Sequence, residues 1–285
     1  MERQNTKTAL ITGSTDGVGR VVAKTLGARG MRVLVHGRDR ARGERVVAEI
    51  KASGGSAEFL EADLSALAEV RRFADAVQRT TNRLDLLINN AGIGSGGAQG
   101  TRQTSADGYE LRFAVNYLAG FLLTDLLLPL IRRSAPARIV NVSSLGQQAI
   151  DFGDVMLTRG YSGSRAYCQS KLAQILFTID LTCELEGSGV TVNALHPATY
   201  MDTTMVRQSG MTPASSVEEG AEAILKLATP PELEGRGGLF FNGQREARAD
   251  AQAYDAKARE RLKAASRHLV GLPSAEAASA AQPAR

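Results

Sequence analysis

Tyr167 and Lys171 lie four residues apart in the segment Tyr-Cys-Gln-Ser-Lys. In a helix this spacing places both side chains on one face. A free tyrosine has a pKa of about 10 and exchanges protons poorly at neutral pH, but a nearby ammonium group favours the phenolate and lowers that pKa. The pair could therefore act as an acid–base group, although a solvent-exposed Tyr–Lys pair is also common on helices.

A glycine cluster near the amino terminus could bind a phosphate group. Gly13, Gly17 and Gly19 follow a short apolar strand and precede a predicted helix. Glycines allow the chain to turn tightly and allow a pyrophosphate to approach the amides at the start of a helix. Their spacing is G-x-x-x-G-x-G rather than the more general G-x-G-x-x-G. Because turns use glycine for other reasons, the cluster predicts phosphate binding only together with other motifs.

Polar residues follow two later predicted strands. The segment Asn-Asn-Ala-Gly occupies 89–92, and Ser143 and Ser144 end another strand. In a parallel sheet the carboxyl ends of the strands face the ligand, so a hydroxyl group at this position could reach a substrate. Asn116 lies inside the predicted helix 106–132, where asparagine is a weak helix former.

The elements that must position these residues alternate along the chain. Strands are predicted at 9–11, 32–35, 56–60, 84–88, 138–142, 190–195 and 238–241, and helices at 17–29, 39–52 (with Asp39 as a possible cap), 64–81, 106–132, 162–186 and 217–228. This alternation predicts an α/β fold, with a Rossmann-like, doubly wound parallel sheet of about seven strands and helices on both faces.

No composition change divides the chain into two domains. Residues 1–272 are therefore predicted to form a single domain that includes the substrate loops. Residues 245–269 are rich in alanine and charged side chains and are predicted to be helical. Residues 273–285 contain Ala, Ser, Pro and Glu without apolar periodicity, which predicts a disordered tail.

Taken together, these motifs resemble those of the short-chain dehydrogenases/reductases. Residues 12–19 are similar to the T-G-x-x-x-G-x-G loop of that family, and the similarity continues at matching positions to about Phe241. The stretch between Ser144 and Tyr167 is longer than usual for the family. This length resembles retinol-dehydrogenase-like and carbonyl-reductase-like members.

The resemblance implies a catalytic set of Ser144, Tyr167, Lys171 and Asn116, acting with a nicotinamide cofactor on a carbonyl or an alcohol. Tyr167 would donate the proton, Lys171 would lower the pKa of Tyr167 and hold the ribose, and Ser144 would bind the carbonyl oxygen. Ser143 is the neighbouring alternative for this last role. Asn116 would hold a water that links Lys171 to solvent, or it is a buried polar residue bonded to backbone.

The resemblance also implies a cofactor site. Asp63 and Leu64 resemble the pair that contacts the adenine ring, and Ala198 replaces a usual glycine beside Pro197 and Thr199. The full set of residues expected to contact the cofactor is Gly13, Ser14, Thr15, Gly17, Val18, Gly19, Arg38, Asp63, Leu64, Asn90, Ala91, Gly92, Tyr167, Lys171, Pro197 and Thr199.

The end of the second strand indicates which dinucleotide is bound. NAD needs an acid there for the ribose 2′-hydroxyl, whereas the 2′-phosphate of NADP needs a cation. In this sequence Gly37 occupies the position where NAD enzymes of the family carry the acid, and Arg38 follows directly. We therefore expect NADP(H) rather than NAD(H), with Asp39 as a helix cap. The alternative is that Asp39 serves NAD, and Asp16 adds an acid that could approach the phosphate.

Two segments are expected to flank the substrate. The apolar side chains that they carry are Phe152, Val155, Met156 and Leu157 in 147–165, and Met201, Met205, Val206 and Met211 in 201–212. Flexible thioethers suit an adaptable apolar pocket, with the glycine-rich segment 94–97 as a mobile rim. The alternative is that these side chains pack the loops onto the core. A mostly apolar carbonyl or alcohol is expected. A retinoid is not favoured, because the membrane anchor of many retinoid enzymes is missing.

Composition excludes several other classes. Lysine plus arginine total 34 and aspartate plus glutamate 30, and these charges are scattered, so no nucleic-acid partner is expected. Cys168 and Cys183 would be about 22 Å apart on one helix, too far to form a disulfide, which indicates a reducing, cytoplasmic location. No metal-ligand spacing occurs, and no membrane partner is expected, since the apolar stretch 118–131 is too short to cross a bilayer.

Two other functions share some of these features. Epimerases and dehydratases of the extended family have the same Tyr–Lys spacing, but they add a larger C-terminal substrate domain. A non-catalytic Rossmann protein that senses NADP(H) would often lose the tyrosine or the lysine. The resemblance further implies a homodimer or homotetramer formed through helices 106–132 and 162–186, although members with a lengthened loop are sometimes monomers.

Overall fold

Strands and helices alternate along the chain, as their patterns predict. The computed structural model describes residues 6–96, 101–229 and 231–274. Within these ranges the strands are β1 (Thr8–Ile11), β2 (Arg32–Gly37), β3 (Ser56–Glu61), β4 (Leu86–Asn89), β5 (Ala137–Val142), β6 (Val190–His196), β7 (Phe240–Asn242) and β8 (Arg245–Ala247). The helices are α1 (Gly17–Ala28), α2 (Arg40–Ala52), α3 (Leu67–Thr80), α4 (Ala119–Arg133), α5 (Gly163–Glu184), α6 (Thr204–Gln208), α7 (Val217–Ala228) and α8 (Ala256–Leu269).

The strands form one sheet in the order β3-β2-β1-β4-β5-β6-β7-β8. The first seven strands are parallel, and β8 pairs with β7 in the antiparallel direction. The strand order reverses between β1 and β4, and at such a point the loops leaving neighbouring strands separate to form a crevice. The predicted Rossmann-like sheet is confirmed, with one strand more than the seven expected.

Helices cover both faces of the sheet. Apolar side chains of α1, α2 and α7 pack against one face, and those of α3, α4, α5 and α8 form a second core on the other. Burial on both faces explains why the central strands are almost wholly apolar. Several helices start at polar caps, among them Asp16 for α1, Asp39 for α2 and Ser162 for α5. The capping role expected for Asp39 is thus confirmed.

The long helix predicted at 106–132 was placed too early in the chain. Gly108 has a φ of +83° and lies in a turn, so the chain does not become helical until about Leu111. A carboxylate oxygen of Glu110 then accepts a hydrogen bond from the Phe113 amide at 2.7 Å and caps the new helix. The first turns, Phe113–Leu118, are π-helical, and α4 follows directly.

The segment predicted as one helix at 245–269 is three elements instead. Gly243 has a φ of +57° and turns the chain back, so β8 pairs with β7. A short 3-10 turn, Ala251–Tyr254, follows, and α8 begins only after Asp255, whose carboxylate caps it. The alanine-rich composition predicted the helix but not the hairpin, which depends on an available sheet edge. Residues 275–285 of the predicted tail lie outside the described residues.

Two other predicted boundaries were wrong by a few residues. The helix expected at 64–81 begins at Leu67, because the Asp63 carboxylate accepts from the Ser65 amide and holds residues 63–66 in a turn. The last strand expected at 238–241 begins at Phe240, since Gly238 has a φ of +77°.

One helical stretch in the described part of the chain, Phe113–Arg133, has the length and apolar composition that could cross a bilayer. The helical stretch is longer than the apolar segment 118–131, so the prediction that it is too short to cross a bilayer was wrong. In the fold 67% of its most apolar window is buried, and it packs against α3 and α5 in the core. Core helices of large α/β domains commonly have this composition.

Candidate active site

The glycine loop after β1 is tied to the loop after β4. The Thr12 hydroxyl oxygen accepts hydrogen bonds from the amides of Asn90 and Ala91, at 2.9 and 3.0 Å. The Asn90 side-chain amide donates to the carbonyl oxygens of Thr12 and Gly13. A Cβ at Gly13 would lie 2.9 Å from the Ala91 Cα, so only glycine allows this approach. The sheet reversal therefore places two predicted motifs side by side.

The amino terminus of α1 faces the same crevice. Gly17 has a φ of +52°, and a Cβ at Gly19 would lie only 2.3 Å from the Gly13 carbonyl oxygen. Val18 between them is buried in the core below α1. The unpaired amides of a helix start attract anions, so this turn can receive a pyrophosphate. Part of this capacity is already used, because the Asp16 carboxylate accepts from the Gly17 amide at 2.8 Å.

His36, at the end of β2, supports the glycine loop from below. Its Nδ1 accepts a hydrogen bond from the Gly13 amide at 3.0 Å, and its backbone amide donates to the Ser14 hydroxyl. The Ser14 hydroxyl in turn donates to the Ile11 carbonyl oxygen. Burial lowers the pKa of His36 to about 4, so the imidazole is neutral and can accept at Nδ1. No sequence pattern predicted this role for His36, because its partner is a backbone amide 23 residues away.

Two arginines lie where β2 ends. A Cβ at Gly37 would lie 2.5 Å from the Thr15 methyl group, so no acidic side chain fits there without a shift. Arg38 is exposed, and its guanidinium lies 3.8 Å from the Asp63 carboxylate. Arg42, which the sequence did not single out, lies on the first turn of α2.

The acids near Arg42 are engaged with other partners. The Arg42 guanidinium lies 3.6 Å from Asp16 and 3.4 Å from Asp39. Asp39 also accepts from the Arg42 amide as the α2 cap, and Asp16 accepts from the Thr204 hydroxyl at 2.9 Å. Each acid that could have served an NAD ribose is thus already paired with a cation.

The pair expected to contact adenine follows β3. Leu64 is buried in the core, whereas Asp63 is partly exposed beside Arg38. An apolar side chain and a polar side chain at the rim of one crevice can hold the face and the edge of a flat ring. The glycine turn, the two arginines and this pair line one crevice, and their chemistry suits the phosphates and the base of a dinucleotide.

Tyr167 and Lys171 lie one turn apart on α5, as predicted. The Lys171 Nζ is 5.8 Å from the centre of the Tyr167 ring. It is buried and donates to two uncharged acceptors, the Val142 carbonyl oxygen at 2.9 Å and the Gln174 Oε1 at 3.1 Å. Burial lowers the pKa of Lys171 to about 8. The ammonium form therefore still predominates at neutral pH.

Ser144 is the serine that faces Tyr167. The pKa of the Tyr167 phenol was expected to be lowered by Lys171, but burial raises it, and a hydrogen bond with the Ser144 side chain opposes that rise to a smaller extent. The Ser144 hydroxyl oxygen also accepts from the Gly146 amide at 3.0 Å. The Ser143 hydroxyl instead donates to the Lys171 carbonyl oxygen at 2.7 Å and holds α5 to the sheet.

Asn116 lies in the π-helical turn and grips the segment after β4. Its Oδ1 accepts from the Ile93 amide at 2.7 Å, and its Nδ2 donates to the Ile93 carbonyl oxygen and to the Ser170 hydroxyl. Gly92 lies between Asn116 and Lys171, because a Cβ there would be 3.2 Å from the Asn116 Oδ1 and 3.5 Å from the Lys171 Nζ. The direct partners of Asn116 are thus backbone atoms and a serine.

The residues predicted after β6 directly follow His196, the last residue of that strand. Thr199 is exposed and its hydroxyl lies 3.1 Å from the His196 Nε2, while Pro197 is buried. Burial, and secondarily the positive charge of Lys171, lowers the pKa of His196 to about 4. His196 is therefore uncharged and positions Thr199 at the crevice.

The apolar residues predicted to line the substrate site divide into two groups. Phe152, Val155 and Met156 pack against the α3–α5 core, so for them the alternative of loop packing is correct. Met205 is exposed on α6 and lies against Gly94, where a Cβ would be 3.2 Å from the Met205 Cγ. Met211 is exposed as well. Of the predicted apolar residues, Met205 and Met211 of the segment 201–212 thus remain exposed.

Comparison with known proteins agrees with this geometry. The family described as short chain dehydrogenase matches residues 7–213. Retinol dehydrogenase 13 of Mus musculus is 38% identical over 291 residues, covering 94% of this chain and 85% of that protein. Retinol dehydrogenase 11 of Homo sapiens is 38% identical over 280 residues, covering 94% of this chain and 86% of that protein.

Solved structures show the same fold with bound NADP. The Pseudomonas aeruginosa RhlG/NADP active-site complex has a TM-score of 0.69 and 29% identity, covering 83% of this chain and 94% of that one. Landomycin C-6 ketoreductase LanV with bound NADP and rabelomycin has a TM-score of 0.66 and 27% identity, covering 83% and 94%. The chain belongs to the short-chain dehydrogenase family and is an oxidoreductase of the alcohol–carbonyl type.

Proposed function

We propose that this chain uses NADP(H) to interconvert a carbonyl and an alcohol on a mostly apolar small molecule. The observation that carries the proposal is the arrangement of Tyr167, Lys171 and Ser144 at the edge of the sheet where the glycine turn opens. The similarity to retinol dehydrogenases and to a ketoreductase supports an apolar substrate with a hydroxyl or keto group.

Tyr167 supplies the proton in the reductive direction. Because burial raises its pKa, the phenol is protonated at neutral pH and is ready to donate. The bound nicotinamide supplies the hydride in this direction and accepts it in the other. Ser144, which hydrogen-bonds the phenol, is placed to donate to the same substrate oxygen as negative charge develops on it.

Lys171 makes the loss of that proton less costly. Its ammonium group lies 5.8 Å from the Tyr167 ring centre, and a nearby positive charge stabilises the phenolate. The Val142 carbonyl oxygen and Gln174 hold the ammonium in place without neutralising it. In alcohol oxidation the same charge favours the phenolate as the base.

Arg38 and Arg42 support the choice of NADP(H) over NAD(H). A guanidinium can contact a phosphate through two parallel hydrogen bonds, and both arginines reach the crevice where β2 ends. Gly37 carries no acid that would repel the 2′-phosphate. Similar structures that were solved with bound NADP are consistent with this choice.

The test is spectrophotometric oxidation of NADPH and of NADH with a panel of aliphatic and aryl ketones and aldehydes. We expect turnover with apolar carbonyls and a higher kcat/KM for NADPH. A higher kcat/KM for NADH would overturn the cofactor choice. NADPH binding without turnover of any carbonyl, or of the matching alcohols with NADP⁺, would instead support a nucleotide sensor.

We also propose that the chain works in the reducing cytoplasm. Cys168 and Cys183 are both free thiols on α5, and Cys183 is exposed, which suits a compartment that keeps thiols reduced. Fractionation of cells that express the untagged chain tests this location. Recovery in the membrane fraction after high-salt washing would contradict it.

A further inference from the structure

Glu110 and Arg112 form an ion pair inside the described part of the protein, beside the active site. Their side chains are 1% and 5% exposed, and the Arg112 Nη1 lies 3.4 Å from the Glu110 Oε1. Removing two charges from water costs about as much as the pair regains, so burial of such a pair is weak support for a purely stabilising role. What the two side chains hold is more informative.

The Arg112 guanidinium grips the segment that follows β4. Its Nε donates to the Gly94 carbonyl oxygen at 3.0 Å, and its Nη2 donates to the Ser95 carbonyl oxygen at 2.8 Å. One helical turn later, the Asn116 side chain hydrogen-bonds both the amide nitrogen and the carbonyl oxygen of Ile93. Two side chains on one helix face thus fix three consecutive residues of an otherwise irregular loop.

Tyr161 connects this grip to the segment before α5. The Arg112 Nη1 donates to the Tyr161 hydroxyl at 2.7 Å, and that hydroxyl donates to the Glu110 Oε1 at 3.0 Å. Burial and the charge of Glu110 raise the pKa of Tyr161 to about 12, so it remains a donor. The second Glu110 oxygen accepts from the Phe113 amide. The three side chains therefore join the loop after β4, the helix start and the loop before α5.

The segment 93–95 forms a wall of the cleft. At one end, Gly92 lies beside Lys171, and at the other, Gly94 lies against Met205 of α6. A shift of this wall changes the width between the catalytic lysine and the apolar surface that α6 offers. Displacements of about 1 Å can cost large factors in rate.

We infer that Glu110, Arg112 and Tyr161 are positioning residues that set the width and shape of the substrate site through the carbonyls of Gly94 and Ser95. The inference rests on the proposed carbonyl–alcohol activity and names what determines its substrate selectivity. None of the three side chains needs to touch the reacting atoms. Their effect on the reaction passes through the wall that they hold.

The test compares Arg112→Lys and Tyr161→Phe with two matched controls. Arg83→Lys makes the same change at the Arg83–Asp85 ion pair, which precedes β4 at the amino ends of the strands, away from the crevice. Tyr109→Phe removes a phenolic hydrogen bond of equal length, from the Tyr109 hydroxyl to the Leu269 carbonyl oxygen. Each variant is assayed with NADPH and aryl methyl ketones of increasing size, and the enantiomeric ratio of each alcohol is measured.

We expect Arg112→Lys to lower kcat/KM for the larger ketones by about tenfold and to shift the product ratio, mainly through KM, with NADPH affinity changed less than about twofold. Tyr161→Phe should give a smaller shift in the same direction, and both controls should retain the wild-type ratio. Parallel losses of Tm and kcat with unchanged product ratios in Arg112→Lys and Tyr161→Phe would overturn the inference.

A second measurement separates this inference from the proposed activity. Hydrogen exchange is followed in the peptide that covers residues 91–96, where Arg112→Lys should exchange faster than wild type and Arg83→Lys should not. If wild type reduces no carbonyl, the proposed function fails, whereas equal exchange in wild type and Arg112→Lys removes the positioning role itself.

Discussion

The cofactor half and the substrate half of the crevice are held in different ways. On the cofactor side, Thr12 and Asn90 join two loops through backbone atoms, and glycines allow the loops to touch. On the substrate side, single long side chains such as Arg112 reach across to irregular segments. The first arrangement permits almost no variation, whereas the second can be retuned by one substitution. One fold can therefore keep its cofactor and change its substrate.

The largest expected effect lies where the two halves meet. Tyr167→Phe keeps the ring but removes the proton donor, so turnover should fall by about 10²–10⁴-fold or more. NADPH binding, followed by fluorescence titration, should remain within a few-fold of wild type. Tyr254→Phe, which removes a hydroxyl that accepts a hydrogen bond from the Ala249 amide away from Tyr167, is the matched control. Substantial activity in Tyr167→Phe would show that the two halves do not meet at this residue.

A pH dependence sharpens the description of the cofactor half. Unfolded histidine has a pKa of about 6.5, and that of His36 is lowered to about 4 by burial, so the unfolded chain binds more protons between these values. The free energy of unfolding is therefore fully retained above about pH 6.5 and falls as the pH drops from about 6.5 to about 4, by about 3 kcal/mol for His36 over that whole range.

Chemical denaturation at pH 7 and pH 4.5 measures this loss. His36→Asn removes the titrating group, so its unfolding free energy should depend less on pH in this range than that of wild type. The control is His268→Asn, at an exposed histidine. An equal pH dependence in wild type and His36→Asn would contradict a buried neutral imidazole under the glycine loop.

A methyl group at Gly19 tests the rigidity of the cofactor half directly. The added Cβ would lie 2.3 Å from the Gly13 carbonyl oxygen, and overpacking of this kind costs about 1–3 kcal/mol. We expect Gly19→Ala to weaken NADPH binding by about 5- to 150-fold in a titration. Gly120→Ala in α4, where the new Cβ would meet Asn89 at an ordinary 3.5 Å, should bind like wild type. Unchanged affinity in Gly19→Ala would mean that this half is as adaptable as the other.

The smallest expected effect concerns the 2′-phosphate. Removing one charge-assisted hydrogen bond from an exposed guanidinium costs about 1.5 kcal/mol, or about tenfold. Arg42→Leu should therefore lower kcat/KM for NADPH by about tenfold and leave that for NADH unchanged. Lys226→Leu, a loss of positive charge on α7 away from the end of β2, is the control. Equal losses with both cofactors would show that Arg42 acts on folding rather than on the phosphate.

The sequence predicted the cofactor half in more detail than the substrate half. A few adjacent residues are enough to recognise each of three features: the glycine turn, the segment 89–92 and the Tyr167–Lys171 pair. The alternating pattern correctly predicted the sheet that brings these features together. The roles of His36 and Arg42 were not predicted, because they depend on partners across the crevice.

The substrate half depends on contacts between distant residues. The Arg112–Tyr161 bond joins positions 49 residues apart, and Gln252 holds Ile150 from 102 residues away. A local pattern cannot show such contacts, so the apolar residues of 147–165 were expected at the substrate although most of them pack the core. The π-helical turns before α4 and the hairpin between β7 and β8 were not predicted for the same reason.

Helix α8 lies across the outer surface of the two longest helices. Arg267 pairs with Asp125 of α4, and Lys263 reaches Asp180 and Glu184 of α5. The basic helix α8 thus covers an acidic, partly apolar face of α4 and α5, the two helices through which the family resemblance implies that two copies would pair. A truncated chain that ended before Ala256 would leave these three carboxylates without their basic partners and would expose more of the surrounding aromatic side chains to water.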